Sequence, residues 1–301
     1  MRFLVATALF MSLTLCSLAK DEVQVSDFVK QHLNSIGSDK DRSAIKSRAV
    51  EGTVQFKLLN TSSGAQDGKE VLLSEGNKMV ALLKLPNPSY HGERFVSDGK
   101  KTMIANIKPG TLSSLGSFVQ AHTEILTEGL WGGTLSTGWP LLNLDEKHPK
   151  LQDQGVKKIN GRELRQIKYS PTKHSDLEIL LFFDTQTARH VMTSYSLEIS
   201  PHLGMSVQET AQQEFTRYRL EERFDDFKTV DGVTLPGHWV IQFTAEVPRD
   251  RAVGEGSATM NAAVVNNPNL ALGQTGIYQF DATETAINHN VNPGAANFEV
   301  K

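Results

Sequence analysis

The chain has 301 residues, of which 39% are hydrophobic and 22% charged, with a net charge of -3 and a pI near 6.3. That balance excludes a wholly disordered chain, a nucleic-acid footprint and strong attraction to anionic lipid heads. The length is compatible with one large domain, since all-β domains often run this long as a single unit.

The first residues read as a secretory signal peptide. Met1-Arg2 is a positive start, Phe3 to Leu15 an apolar run, and Ser17-Leu18-Ala19 a small-x-small cleavage site before Lys20. The apolar run is shorter than the ~20 residues a spanning helix needs. Residues 1–19 are therefore expected to be removed, leaving 20–301 as a single periplasmic or secreted domain. Cys16 is the only cysteine. Lipidation there, giving an outer-membrane lipoprotein, is the lesser alternative, because Leu15 is too large for the small position that precedes a lipidated cysteine. Cleavage after Ala19 leaves no cysteine, and so no disulfide, zinc-thiolate site or thiol nucleophile.

Val25, Phe28, Val29, His32, Leu33 and Ile36 recur at helical spacing, with Ser26 as N-cap and Gly37 as stop. The period then changes to two. Short strands are predicted at Thr53–Leu59, Val71–Ser74, Met79–Leu85, Arg94–Ser97 and Thr102–Ile107, joined by turns such as Asp98-Gly99.

Residues 110–148 interrupt the strands. Leu112, Leu115, Phe118, Val119, Ile125 and Leu126 fit one helical face, and Gly129 sits at a left-handed C-cap. Gly129 to Leu142 then holds four glycines, two of the three tryptophans and no charge, with Pro140 opening a second short helix. Such a segment suits the rim of an apolar hole: glycine allows close approach, and tryptophan joins a large apolar face to one polar edge.

Strands resume at Gly155–Ile159 and Glu163–Tyr169, around an Asn160-Gly161 type I′ turn. Leu177–Phe183 is apolar on both faces and so central. Alternating strands follow at Val191–Ile199 and Trp239–Val247, and Glu214–Phe227 between them is polar and aromatic. Residues 248–274, rich in Gly, Ala and Asn, read as a flexible loop. Gly276–Ile287 is the last strand, and Phe298 pins the end. About a dozen strands and two or three helices make an α+β chain with one large antiparallel sheet carrying helices on one side.

Asp226-Phe227-Lys228-Thr229-Val230-Asp231-Gly232-Val233-Thr234-Leu235-Pro236, followed by Asn290-Val291-Asn292-Pro293 and Phe298, stands in the same order as in a known family. The layout resembles the periplasmic lipoprotein-carrier and receptor superfamily, which includes outer-membrane lipoprotein-sorting proteins. The resemblance implies a curved, unclosed half-barrel wrapped around a few helices, with a helical lid near 110–148. It also implies that a lipid or an acylated lipoprotein sits in an apolar cavity between the concave sheet and the helices. No functional residue is carried over from that family to a position in this chain.

The residues expected to line that cavity or form its lid are Leu115, Phe118, Val119, Trp131, Trp139 and Leu142; the alternative is that they fill the core. No catalytic residue is expected. There is no nucleophile elbow, zinc-protease motif or phosphate loop, no two histidines stand at a local metal-ligand spacing, and no metal or cofactor is implied. The acidic pairs Glu221-Glu222 and Asp225-Asp226 read as solvated edge charges. The leading expectation is a non-enzymatic envelope protein that binds lipid or acylated protein in lipid or lipoprotein trafficking, with peripheral or no membrane association and no nucleic acid. The alternative is a structural component with a filled core that meets an envelope protein through its sheet edge and loops.

Overall fold

The computed structural model describes residues 25–59, 64–88, 90–200, 215–246 and 275–300. The expected signal peptide, Cys16 and the whole of the 248–274 loop lie outside them. Among the described residues no helix is long and apolar enough to cross a membrane.

Residues 25–36 are helical (α1), and since the helix already runs at Val25, Ser26 is not its N-cap. A short helix α2 (Asp39–Ala44) follows, capped by Ser38, whose hydroxyl accepts from the Asp41 N–H. Five strands come next: β1 (Ser47–Leu58), β2 (Gln66–Glu75), β3 (Lys78–Lys84), β4 (Gly92–Ser97) and β5 (Thr102–Asn106). The interruption holds α3 (Ser114–Ala121), α4 (Glu124–Thr127), two 3-10 turns at Gly133–Leu135 and Pro140–Leu142, and α5 (Leu144–Lys147). The meander resumes with β6 (Lys150–Ile159), β7 (Arg162–Ser170), β8 (Glu178–Asp184), β9 (His190–Ile199) and β10 (Thr216–Asp225). It ends with β11 (Lys228–Val230), β12 (Val233–Leu235), β13 (His238–Glu246) and β14 (Thr275–His289).

Local chemistry explains the joints. Asn160 and Gly161 take φ values of 49° and 81°, and Asp231 and Gly232 take 49° and 81°, which is the type I′ geometry for tight hairpins. The helical face from Leu112 to Leu126 is divided at His122–Thr123 into two helices. Gly129, at φ 78°, lies so close to the Gly138 carbonyl that any Cβ would collide with it.

Twelve strands form one antiparallel sheet in the order β5-β4-β3-β2-β1-β14-β13-β10-β9-β8-β7-β6, and β11-β12 is a separate hairpin. The first and last strands therefore meet in the middle, with Val54 opposite Ala282 and Phe56 opposite Phe280. The expectation of a half-barrel is corrected here. The sheet is open, with β5 and β6 as its edges, and is neither closed nor strongly curled. Alternation tells which side chains share a face but carries no information about how far the strands roll.

One face is the inner one. On β10, Tyr218, Leu220, Glu222 and Phe224 are buried while Arg217 and Arg219 are exposed. Residues of α1, α3, α4 and the 129–142 segment join the inner face in a single core cluster. Full burial of a side chain the size of phenylalanine stabilises by roughly 1.5–3 kcal/mol, so this cluster holds the two layers together. On the outer face Phe298 packs on Val80 and Val96, fixing the end of the chain as its position implied.

Candidate functional site

The segment 129–142 lies inside the molecule. Trp131 and Trp139 are fully buried, as are Leu130 and Leu135. Trp131 stacks on Phe95 at 4.8 Å and meets Trp239 edge-on at 5.8 Å. Trp139 lies 4.4 Å from the His190 ring.

Four polar groups tie this segment to the rest of the fold. The Gly132 N–H donates to Oε2 of Glu222 at 2.7 Å. Nη1 of Arg48 donates to the carbonyls of Thr134 (2.7 Å) and Leu135 (2.9 Å). The Thr137 N–H donates to the Ser74 hydroxyl at 3.0 Å. The Trp139 indole N–H donates to Nε2 of His32 at 3.0 Å. The bonds to Glu222, Arg48 and Ser74 satisfy backbone groups that such a broken helical stretch leaves without partners of its own.

The anchors are titratable groups far from water. Glu222 also accepts from the Tyr195 hydroxyl (2.8 Å) and the Trp239 indole (3.1 Å). Burial outweighs these three bonds and pushes its carboxyl up to about 7. Burial lowers His32 to about 4 and Arg48 to about 10, so at neutral pH the imidazole is neutral and the guanidinium charged. His190 is held well below the ordinary range, first by burial and then by His32. Its Nε2 meets the Thr193 hydroxyl at 2.9 Å, while its Nδ1 has no partner.

Two more carboxylates are buried on the same face. Glu70 on β2 and Glu284 on β14 flank Gly52 on β1 in register. A Cβ on Gly52 would stand 3.0 Å from a carboxylate oxygen of each. Burial raises both, and the nearby Glu284 carboxylate raises Glu70 further. Glu93 is also buried, and accepts from the N–H (2.6 Å) and hydroxyl (2.7 Å) of Ser113 and from the Tyr90 hydroxyl (3.0 Å). It fixes the start of α3.

Leu115, Phe118 and Val119 are buried on α3, with Phe118 5.2 Å from Phe243 and 6.0 Å from Tyr218. Leu142 is half-buried against the same core. The six residues expected at a cavity or lid thus all belong to, or pack on, one apolar cluster, divided between α3 and the 129–142 segment.

Sequence reading missed the polar anchors. Glu222 was expected among solvated edge charges and is instead fully buried; its alternation with Leu220 and Phe224 on β10 was the available signal. His32 already stood on the apolar face of α1. Arg48 precedes the strand as read from its sequence, so nothing marked it. Among the described residues no group of three or more His, Cys, Asp or Glu side chains is placed to hold a metal.

No protein-family model matches the chain, and no curated protein matches it. It is similar to the crystal structure of a DUF1329 family protein from Desulfovibrio piger, at 10% identity and a TM-score of 0.46, over 91% of this chain and 97% of that one. It is also similar to a LolA superfamily protein from Nitrosomonas europaea, at 11% identity and a TM-score of 0.43, over 89% and 94%.

Proposed function

We propose that this chain is a non-enzymatic envelope protein that binds a lipid or an acylated protein between the inner face of its sheet and the helical stretch 114–147. The observation that carries this reading is the way the 129–142 segment is held. Large apolar side chains cover the inner face, yet the segment is broken into short turns and tied down by a few side-chain bonds. A segment so built is able to part from the sheet as one piece, exposing apolar surface to an acyl chain. Burial of that chain supplies about 0.8 kcal/mol per CH₂. Leu115, Phe118, Val119, Trp131, Trp139 and Leu142 are proposed to contact it.

The test is native purification of the mature chain, solvent extraction and mass spectrometry. A stoichiometric lipid or fatty acid, lost in Trp131→Ala and Trp139→Ala, is the expected result. An empty protein that also refuses a fluorescent fatty acid overturns the reading.

A second reading is an interaction component with a permanently filled core. It is favoured by the complete burial of Trp131 and Trp139 within one continuous cluster. The partner would then use the outer surface or the edge strand β6, where Val156 is exposed.

A further inference from the structure

Arg48 is the one buried cation among the described residues for which no carboxylate partner is found. Its charge rests on two backbone carbonyls, and its Nε–H has no acceptor. Leaving a buried charge so poorly matched is costly. Directly opposite it on β14 stands His289. Residues paired in register share a face. The His289 side chain is 3% exposed; its Nδ1 lies 3.0 Å from Oδ2 of Asp231, and its Nε2 is buried without a partner. Two unmatched nitrogens, one on a permanent cation and one on a titratable ring, thus belong to residues paired directly across β1 and β14.

Their surroundings are polar too. The cross-strand row through Arg48 runs Ser97, Met79, Ser74, Arg48, His289. Ser74 and Ser97 are fully buried. The next row, through Val50, runs Phe95, Ala81, Leu72, Val50, Ile287 and is apolar. A polar end beside an apolar floor matches a ligand with an acidic head and a hydrocarbon tail.

We infer that Arg48 and His289 form a buried anion site that takes a carboxylate, one oxygen accepting from Arg48 Nε–H and the other from His289 Nε2–H. That the carboxylate heads an acyl chain rests on the proposed function; the anion site does not. Because Nδ1–H already serves Asp231, the bond from Nε2 requires the imidazolium, and binding takes up a proton. Burial first, and Arg48 second, hold His289 below its ordinary value in the free protein, against the pull of Asp231. A carboxylate cancels the effect of Arg48. The charged groups facing this ring are Arg48 on β1 and Asp231 in the β11–β12 turn; Asp41 of α2 touches the neighbouring Gly232.

The experiment is histidine NMR on the mature chain at constant ionic strength, with sodium acetate, sodium dodecanoate and uncharged 1-dodecanol as probes. Acetate or dodecanoate should raise the His289 pKa by about one unit. Binding should be about three- to sixfold tighter near pH 6 than near pH 8, tenfold being the ceiling that a one-unit shift sets. Both effects should vanish in Arg48→Gln, and the pH dependence alone in His289→Gln. The wild-type titration decides the matter if Arg48→Gln does not fold. A His289 resonance that neither anion moves overturns the site. If dodecanol binds as well as dodecanoate while His289 stays still, the acyl-binding reading stands and the anion site falls. If acetate moves His289 while neither twelve-carbon probe binds, the anion site stands for small carboxylates and the acyl reading falls.

Discussion

Trp139 and His32 share one hydrogen bond, from the indole N–H to imidazole Nε2 at 3.0 Å, and neither ring touches water. The other imidazole nitrogen faces the Ala188 carbonyl at 3.0 Å. Together the two partners dictate the tautomer: Nδ1 carries the proton and Nε2 the lone pair. A helix near the start of the fold thereby orients a tryptophan more than a hundred residues away.

This bond has an acid limb. His32 stays neutral in the fold to about pH 4, whereas the unfolded chain protonates it near 6.5. Its contribution is complete above the unfolded value and is lost as pH falls from about 6.5 to about 4. The loss is about 3 kcal/mol over that window. Urea denaturation of His32→Gln, which keeps an acceptor for Trp139 but no titration, should show a flatter acid limb. An unchanged limb would assign the acid sensitivity elsewhere.

Glu222 works in the opposite direction. Its carboxyl keeps a proton to about 7 in the fold and to about 4.5 when unfolded, so its contribution is present below 4.5 and lost as pH rises through 7. Glu222→Gln should gain on the wild type by about 3 kcal/mol across that window. Glu222→Ala strands the donors Gly132, Tyr195 and Trp239 and should cost about 3 kcal/mol or more at any pH. Denaturant midpoints at several pH values separate the two variants.

The Glu70–Glu284 pair adds to the alkaline side. Both groups are raised, so the fold is penalised as pH climbs above the unfolded carboxyl range and the pair is forced to share less than one proton. Glu70→Gln should raise the melting temperature, by an amount that grows with pH. Gly52→Ala should lower it, since the new methyl meets both carboxylates and the Thr283 carbonyl at 2.8–3.0 Å.

On the outer face His238 bridges Asp225 and Asp281, each 2.8 Å from a ring nitrogen. Burial opposes its charge but the two carboxylates prevail, and its value is raised. This bridge is intact below about 6.5 and is lost as pH rises through the higher folded value. Its partial exposure keeps the effect small. His238→Gln should remove it, as a direct NMR titration of the ring would register.

The strands were legible because their residues repeat a two-residue rhythm between Gly-bearing turns; Asn160-Gly161 and Asp231-Gly232 even disclose their backbone angles. The buried segment was legible from Trp131 and Trp139 as something that meets apolar surface. What covers what was less so. Glu222 sits beside Glu221, and adjacent acids look alike until one knows which side of the strand is packed. Arg48 and His289 are some 240 positions apart, and only the pairing of β1 with β14 makes them neighbours. The degree of roll in the sheet is written in the sum of small twists, not in any residue type.

That pairing of β1 with β14 also bears on how the molecule comes into being. The contact between Lys46 and Asn290 closes 244 residues of chain. Every other neighbouring pair in the sheet except β10–β13 joins consecutive strands. Two half-sheets can assemble early and cheaply by local zippering, but they become one only after synthesis has delivered the last strand. Such late, distant closure slows folding and leaves two inner edges open in the interim. A chain truncated before β14 should persist as two unjoined halves, prone to pair with other copies of itself.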